Sequence, residues 1–583
     1  MKKINRTLLQ ITEKYYWLWF TLLCAVTAFL CFRCLGVKAI DSWDEARHGI
    51  SAYEMLKNKQ FLVNTYLGKP DYWNVKPPLS FLSVAAGFVL CGYNAVGLRF
   101  FSALFYLLTV IFTGLFARKY SRLASLLTMV FLCANYFPFK AHLARAGDAD
   151  SLYLLLFTLS MLCMLKVRDN GRWLYACGLF FSLAFLTKSF HAGMIAAVGG
   201  FFLLLTKELF HQKPKRWIIF IACAVLPILI WGICRYQYDG ITFFQNMYEA
   251  DIAGRTAAGG LEGHGFPFSF YWTSIFWNFD YIYGWLTLIV IIGLICLWIR
   301  PLRPVDTPLS NVDLTGILLW FFVPFLGFSL VSTKLMWYVY PCIVPLCMLA
   351  AVFVATFLTT VLTEKHVPGF VGLLISLVLL AGTAVFVWNN YCDNVRGARS
   401  NDLQTFVQEQ FSRDSDLAGS TIYLDAYDPF LYANTTDWEQ NMQLLAMLSG
   451  LKKGQKLKLL YLIKMLQENT DENHPMSTPD IIKYLENQGI HAERKSIYSD
   501  MESLADFGYD VVQVQSRLGG GYYLGSREFE LPELKLLVDA VQSSRFITTK
   551  KSRDLIRKLE QIAGKNDAGK LQRQVYVAGR VKT

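Results

Sequence analysis

Two adjacent carboxylates and the cations near them are the first chemical signal in this chain. Asp44 and Glu45 precede Arg47 and His48 in DSWDEARHG, and Lys76 follows in WNVKPPL. A carboxylate can take a proton from a hydroxyl, as a general base does. Arg and Lys can hold a phosphate oxygen as it gains charge, one as a planar fork and the other as a point charge. These residue types suit transfer chemistry on a phosphate-linked substrate. An Asp-Glu pair alone is more often a solvated charged loop, so the weight of the signal rests on its surroundings.

Those surroundings are apolar. Of the 583 residues, 54% are hydrophobic and 15% aromatic, more than a soluble globular chain carries. They fall in long blocks, which makes the class an all-α polytopic membrane protein. Spans read over residues 16–35, 97–117, a stretch ending near 138, 151–167, 173–187, 192–205, 217–233, 275–299, 314–331, 338–362 and 370–388. That is about eleven crossings by length and apolarity. The block at 77–91 is short for a crossing and is expected in the interface. Residues 41–79 therefore read as a loop at a membrane surface. The N-terminus carries Lys2, Lys3 and Arg6 with no small-residue cleavage site after the first apolar run, so that run is expected to stay as an anchor. The 13 cysteines stop at Cys392 and sit mostly in apolar segments, as small buried hydrophobes do. Cys31 and Cys34 form a C-x-x-C with no second pair beside it, which does not make a metal or redox site.

Orientation follows from Lys and Arg in the short loops. Arg118-Lys119, Arg168 with Arg172, Lys213-Lys215-Arg216 and Arg300 with Arg303 alternate in phase with the N-terminal lysines, which puts that side in the cytoplasm. The net charge of +12 is accounted for by such loops and calls for no nucleic-acid partner. The 41–79 stretch, the polar break KAHLARAGDAD with Arg145, Asp148 and Asp150, the 235–267 loop and the 332–337 link then share the outer face. Further groups there are Lys188 and His191 in LTKSFHAG, Arg255 and His264 in the long loop, and Lys334 and Tyr338 in STKLMWYVYP. Arg99 opens a span in GLRFFSAL. Each alone reads as a snorkelling or belt residue. Together they suit an anionic head group at the membrane surface.

In this order the segments from 16 to 388 resemble the polyprenyl-phosphate-sugar-dependent glycosyltransferases, the family of the lipid A aminoarabinose transferase and the protein O-mannosyltransferases. The matching stretches are DEAR at 44–47, KPPL at 76–79 and LRFFSAL with Arg99. They continue with ARAGDADSL carrying Arg145 and Asp150, LTK at Lys188, RTA…EGHGFPFSFYW with Arg255 and His264, and KLMWYVYP with Lys334 and Tyr338. The resemblance implies a GT-C-type fold and a catalytic Asp44, with Glu45 beside it. It implies that Arg47, Lys76 and Tyr338 bind or polarise the donor phosphate, with Arg255 and Lys334 assisting. Arg99, Arg145, Asp150, Lys188 and His264 are its further site candidates. Where the family often carries an acid before the Lys of KPP, this chain has Val75. His264 is the candidate for a divalent metal, and Val75 removes the partner that the resemblance would give it. No cofactor is otherwise called for.

After residue 389 the composition turns polar. Residues 390–445 read as the start of an extracytoplasmic segment cut short, with a helix at 401–411 and a strand at 421–425. Residues 446–530 read as three helices and a hairpin wing and resemble the helix-turn-helix half of bacterial regulators that carry a WYL sensor domain. Arg494, Lys495, Ser496 and Tyr498 are the groove-facing candidates. Residues 531–583 read as a helical linker toward a sensor that is missing.

The expectation is a plasma-membrane glycosyltransferase with its active site outside. It moves a sugar from a polyprenyl-phosphate carrier to a lipid, protein or wall-polymer hydroxyl, with inversion. A lipid-linked anion transporter or flippase is the alternative, but it calls for charges near the bilayer midplane, and these cluster at one surface. A membrane-tethered transcription regulator is the other alternative. An odd number of crossings leaves the helix-turn-helix outside, so it is expected not to meet nucleic acid in this chain.

Overall fold

The computed structural model describes residues 10–396 apart from 39, 42–43, 67, 258–263, 278–280, 300–308 and 364–368. Beyond these it describes 458–487, 494–506, 508–514, 520–526, 531–543, 551–552 and 555–556. The described residues fall into two units, one before residue 397 and one after residue 457.

The first unit is helical, as its apolar blocks require: a backbone out of water must satisfy its own hydrogen bonds. In chain order its main helices are α1 (Tyr16–Phe32), α2 (Asp44–Asn58), α3 (Leu79–Cys91), α4 (Ala95–Ala117), α5 (Arg122–Ala134), α6 (Asp150–Leu165), α7 (Trp173–Lys188) and α8 (Gly193–Leu205). They continue with α9 (Pro214–Asp239), α10 (Tyr281–Trp298), α11 (Asn311–Leu330), α12 (Tyr340–Thr363) and α13 (Gly369–Asn390). Five stretches among the described residues are long and apolar enough to cross a membrane: Ala95–Ala117, Trp173–Leu205, Pro214–Asp239, Asn311–Leu330 and Met336–Thr360. Tyr16–Phe32, Leu79–Cys91, Arg122–Ala134, Asp150–Leu165 and Ile282–Trp298 are shorter apolar helices. The two spans read at 173–187 and 192–205 form one run, jointed by the 3-10 turn Ser189–Ala192.

α12 forms the centre. Its residues from Cys342 to Val352 are buried, and it packs on α5, α11 and α10. α6 is buried on all sides between α4 and α7, and α7 packs on α9. The helix starts are set by local chemistry. Asn94 accepts from the Gly97 amide at 2.9 Å to cap α4, and Ser121 accepts from Ala124 at 2.9 Å to cap α5.

The largest departure from the sequence reading lies at 41–79. The stretch read as a loop opens with helix α2, followed by a tight antiparallel pair, β1 (Thr65–Tyr66) with β2 (Lys69–Pro70). Two acids in the first turn favour a helix here, since they face the positive end of the helix dipole. Glu45 also reaches back to the Asp41 amide at 2.8 Å and satisfies an orphan donor. α2 is polar overall, yet it buries Glu45, His48, Ser51 and Glu54. It is a helix folded into the protein, not a span.

In the second unit, α14 (Lys458–Asn469), α15 (Thr478–Asn487) and α16 (Arg494–Asp506) enclose Leu462, Met465, Leu466, Ile481, Leu485, Ile497 and Met501. β3 (Met476–Ser477), β4 (Val511–Val514) and β5 (Gly521–Leu524) form an antiparallel sheet in the order β3-β5-β4, with Val511 opposite Leu524 and Met476 opposite Tyr522. A further helix, α17, spans Leu531–Ser543. The helix and strand read at 401–411 and 421–425 lie outside the described residues.

Candidate active site

Adjacent side chains on a helix point about 100° apart, so Asp44 and Glu45 face different neighbours. Glu45 faces the protein. Its carboxylate accepts from Arg99 Nε at 2.6 Å and Nη2 at 2.8 Å, from the Gly147 amide at 2.7 Å and from the Asp41 amide. Arg99 is wholly buried and also donates to the Leu35 and Lys38 carbonyls. This knot ties the end of α1, the start of α2, the start of α4 and the 141–149 segment into one body. Gly147 is needed at it: a Cβ there would lie 2.8 Å from the Leu98 carbonyl oxygen. Burial works to raise the Glu45 carboxyl, but Arg99 outweighs it and holds the group below its usual value.

Asp44 faces outward into a cluster of charge. Lys76 Nζ is 3.3 Å from Asp44 Oδ1 and 3.7 Å from Asp148 Oδ1. His142 Nδ1 is 3.0 Å from Asp148 Oδ2 and 3.9 Å from Asp44 Oδ2. His48 hydrogen-bonds the Asp44 carbonyl at 2.8 Å, lies 3.7 Å from Asp148 and stacks on Phe81. Its Nε2 is buried with no partner among the described residues. Burial and then the nearby Lys76 pull the His48 pKa down to about 4, so it is neutral at physiological pH. Burial pushes the Asp44 carboxyl up, but Lys76, then His142 and His48, more than offset it and its pKa falls below the usual value. Asp148 is lowered well below its usual value, because Lys76 and then the His142 hydrogen bond outweigh its burial. Lys76 is raised, because Asp44 and Asp148 outweigh its burial. Asp44, His142 and Asp148 lie close enough to gather a cation, and the Lys76 ammonium against both carboxylates supplies one.

A second group lies along the 331–339 link. Thr333 donates to the Arg255 carbonyl and Lys334 to the His264 carbonyl, both at 3.0 Å, which seams this link to the 254–266 segment. Tyr338 is buried, with Lys188 Nζ 5.7 Å from its ring, the Arg255 guanidinium 5.5 Å away and His191 at 5.0 Å. Its hydroxyl has no hydrogen-bond partner among the described residues. Lys188 forms a buried ion pair with Asp150, and Arg255 lies 3.4 Å from Asp251.

Several candidates sit elsewhere than the sequence reading expected. Arg47 grips Asp71 with two bonds of 2.8 Å and is sandwiched between Tyr66 and Trp73, away from the Asp44 carboxylate. Lys334 Nζ donates to the Phe266 and Val331 carbonyls. Arg145 donates to the carbonyls of Leu30, Cys31, Arg33 and Cys34, so it caps the C-terminus of α1, and burial brings its pKa down to about 10. His264 has a ring 6.5 Å from Phe266, and Val75 is buried in an apolar cluster with Trp231, Phe243 and Met247. A metal at His264 therefore gains no acid from position 75. In the second unit, Arg494 donates to the Tyr498 hydroxyl at 2.6 Å, Ser496 is taken by Lys458, and Arg494 and Lys495 are exposed.

Reading the sequence named His48 within the 41–79 stretch without giving it a role, passed over His142, and treated Asp148 only as part of a polar break. The signal available was the H-x5-D spacing of His142 and Asp148 inside that break.

Residues 75–231 match the family described as dolichyl-phosphate-mannose-protein mannosyltransferase, a range that holds Lys76, Arg99, His142, Arg145, Asp148, Asp150 and Lys188. Over 336 residues the chain is 26% identical to undecaprenyl phosphate-alpha-4-amino-4-deoxy-L-arabinose arabinosyl transferase 1 of Pseudomonas fluorescens strain Pf0-1, covering 56% of each protein. It is 28% identical over 386 residues to transferase 2 of the same strain, covering 62% of this chain and 64% of that protein. The chain thus spans only a little over half the length of these curated relatives. The crystal structure of ArnT from Cupriavidus metallidurans bound to undecaprenyl phosphate is similar at 14% identity and a TM-score of 0.47, over 86% of this chain and 97% of that one.

Proposed function

We propose that this chain is a membrane glycosyltransferase that moves a sugar from a polyprenyl-phosphate carrier to an acceptor hydroxyl. One observation carries the reading: a partly exposed carboxylate, Asp44, lies 3.3 Å from Lys76, backed by buried Asp148 and His142. Base and phosphate clamp thus stand side by side. The similarity of 75–231 to mannosyltransferases that use a dolichyl-phosphate sugar, and of the chain to undecaprenyl-phosphate sugar transferases, supports the same donor class.

In this reading Asp44 takes the proton of the acceptor hydroxyl. That oxygen attacks the anomeric carbon from the face opposite the phosphate, the bond from that carbon to the phosphate oxygen breaks, and the carrier leaves as a phosphate monoester. Lys76 shifts from Asp44 to the phosphate and stabilises the charge it gains. Freeing Asp44 from Lys76 also raises its basicity, since the nearby ammonium is what depresses it most. The Tyr338 hydroxyl and the Arg255 guanidinium face the same anion from the other seam. Glu45, Arg99 and Arg145 build the platform, and Arg47 braces the β1–β2 hairpin through Asp71. A phosphate leaves without a dedicated general acid.

Counting the two legs on either side of the Ser189–Ala192 turn as separate crossings keeps the total at about eleven, and with the cytoplasmic N-terminus inferred from loop charge this supports a site on the outer face of the plasma membrane. In the same frame we read the three helices and β3-β5-β4 sheet of the second unit as a winged helix-turn-helix that does not meet DNA in this chain.

The test is transfer by the full chain in lipid nanodiscs with a polyprenyl-phosphate sugar, read as release of polyprenyl phosphate. Asp44→Asn should lose most of its turnover while keeping its unfolding midpoint, because Asp44 is partly exposed and its removal leaves no buried charge unpaired. Near-wild-type turnover in that variant refutes the assignment.

A further inference from the structure

His142 takes no step in that mechanism, yet the structure holds it in a costly way. Its backbone lies at φ +54°, the left-handed region that a non-glycine residue enters at some strain. Its ring is stacked on Trp337 with centroids 3.7 Å apart, pinned against the link that carries Tyr338. Among the described residues its Nδ1 faces Asp148 and Asp44 and no other acceptor. Carboxylates only accept, so Nδ1 carries a proton.

The charges around it decide what that imidazole does. Asp150, at the start of α6, is matched by Lys188, and Glu45 by Arg99. His48 is neutral. What remains is Asp44 from α2 and Asp148 from the 141–149 segment against Lys76 alone. With His142 uncharged, the cluster carries a net negative charge and has one cation to offer. A phosphate group arriving there meets repulsion, and when it draws Lys76 away it leaves two carboxylates facing each other. Like charges that close resist joint ionisation.

We propose that His142, as an imidazolium, is the second fixed cation of the site: it keeps Asp44 and Asp148 ionised and in place while Lys76 turns to the donor phosphate. This rests on the donor reading above and makes His142 a positioning residue acting through the two aspartates. Burial works to lower its pKa, but the Asp148 hydrogen bond and charge, then Asp44 and Asp150, outweigh it, so the pKa lies above the ordinary histidine value. A raised pKa means the charge is present at neutral and acid pH and is lost as pH rises through that value. Phosphate binding should weaken over the same window.

The probe is undecaprenyl phosphate, titrated against the full chain in nanodiscs from pH 6 to 9. Wild type should lose affinity about tenfold or more toward the alkaline end. His142→Gln keeps a donor to Asp148 but no charge. It should bind about tenfold or more weaker at pH 6.5 and retain only the slope from the phosphate's own second ionisation. His142→Lys should hold its affinity at pH 9. A Gln variant that follows the wild-type curve overturns the proposal. A second readout needs no ligand: an imidazolium quenches a stacked indole, so the fluorescence difference between wild type and Trp337→Phe should titrate above the ordinary histidine pKa. A flat difference with intact binding refutes the proposal alone. No binding by wild type at any pH, with that titration present, refutes the donor reading beneath it.

Discussion

The knot at Glu45 separates architecture from chemistry more sharply than any other position. Glu45 is 2% exposed and Arg99 0%. Four donors converge on the one carboxylate: two nitrogens of the Arg99 guanidinium at 2.6 and 2.8 Å and two backbone amides at 2.7 and 2.8 Å. Glu45→Gln preserves shape but puts an amide NH2 where an acceptor is required, so part of this set becomes donor facing donor. It also takes the negative charge of Glu45 away from the buried Arg99 guanidinium. Breaking one side of such a pair costs about 3–5 kcal/mol, a large share of the roughly 5–15 kcal/mol that holds a domain together. Glu45→Gln and Arg99→Met should each lower the midpoint of denaturant unfolding in micelles by that order. The double variant Glu45→Leu/Arg99→Met should lose less than the sum, since removing both charges leaves none stranded. The pair's pH dependence has a definite sign. The Glu45 carboxyl is depressed in the folded state, so its stabilisation is present above the unfolded value of about 4.3 and is lost as pH falls through the folded one. If Glu45→Gln unfolds within about 0.5 kcal/mol of wild type, the limit for an ordinary surface change, while transfer is lost, then Glu45 belongs to the reaction and the reasoning fails.

Three other expectations follow from the same geometry. Lys76→Ala should cut kcat/KM for the sugar donor on the order of 10²-fold or more, and Lys76→Arg should recover only part of it because a planar fork does not replace a point charge; unchanged kinetics would remove Lys76 from the phosphate. Arg47→Lys should cost on the order of 1.5–3 kcal/mol through the lost bidentate bonds to Asp71, read as a lower unfolding midpoint with the donor KM unchanged; the opposite pattern would return Arg47 to the donor site. A reporter fused after Thr583 should show an extracytoplasmic C-terminus, and residues 450–583 should bind no DNA sequence specifically. A cytoplasmic reporter with specific DNA binding would overturn the topology and the reading of the second unit together.

Much of the site was legible as a list of residue types and little of it as pairs. The apolar blocks announced the helices, because one apolar segment satisfies its own backbone in lipid only as a helix. Asp44, Lys76 and Arg255 stood out because they are charged in stretches between apolar runs, and Tyr338 because it opens one. Adjacency misled at Asp44-Glu45. On a loop the two carboxylates could share a task, but on a helix they diverge, and one is used up as a hub. The loop reading itself came from the place of 41–79 between apolar spans, without weighing two first-turn acids as a helix start. Arg47 shows a different limit. Its fork fits a phosphate and a carboxylate equally well, so its type cannot say whether Asp71 or a ligand holds it; only the turn at 65–73, closing Tyr66 and Trp73 over it, decides. His142 shows the limit most clearly. A lone histidine in a polar break carries no signal by itself, and what gives it meaning is Trp337, nearly two hundred residues away in sequence and 3.7 Å away in space. Long-range contacts of that kind set the charge balance of the cluster, and the charge balance determines whether an anion is welcome there.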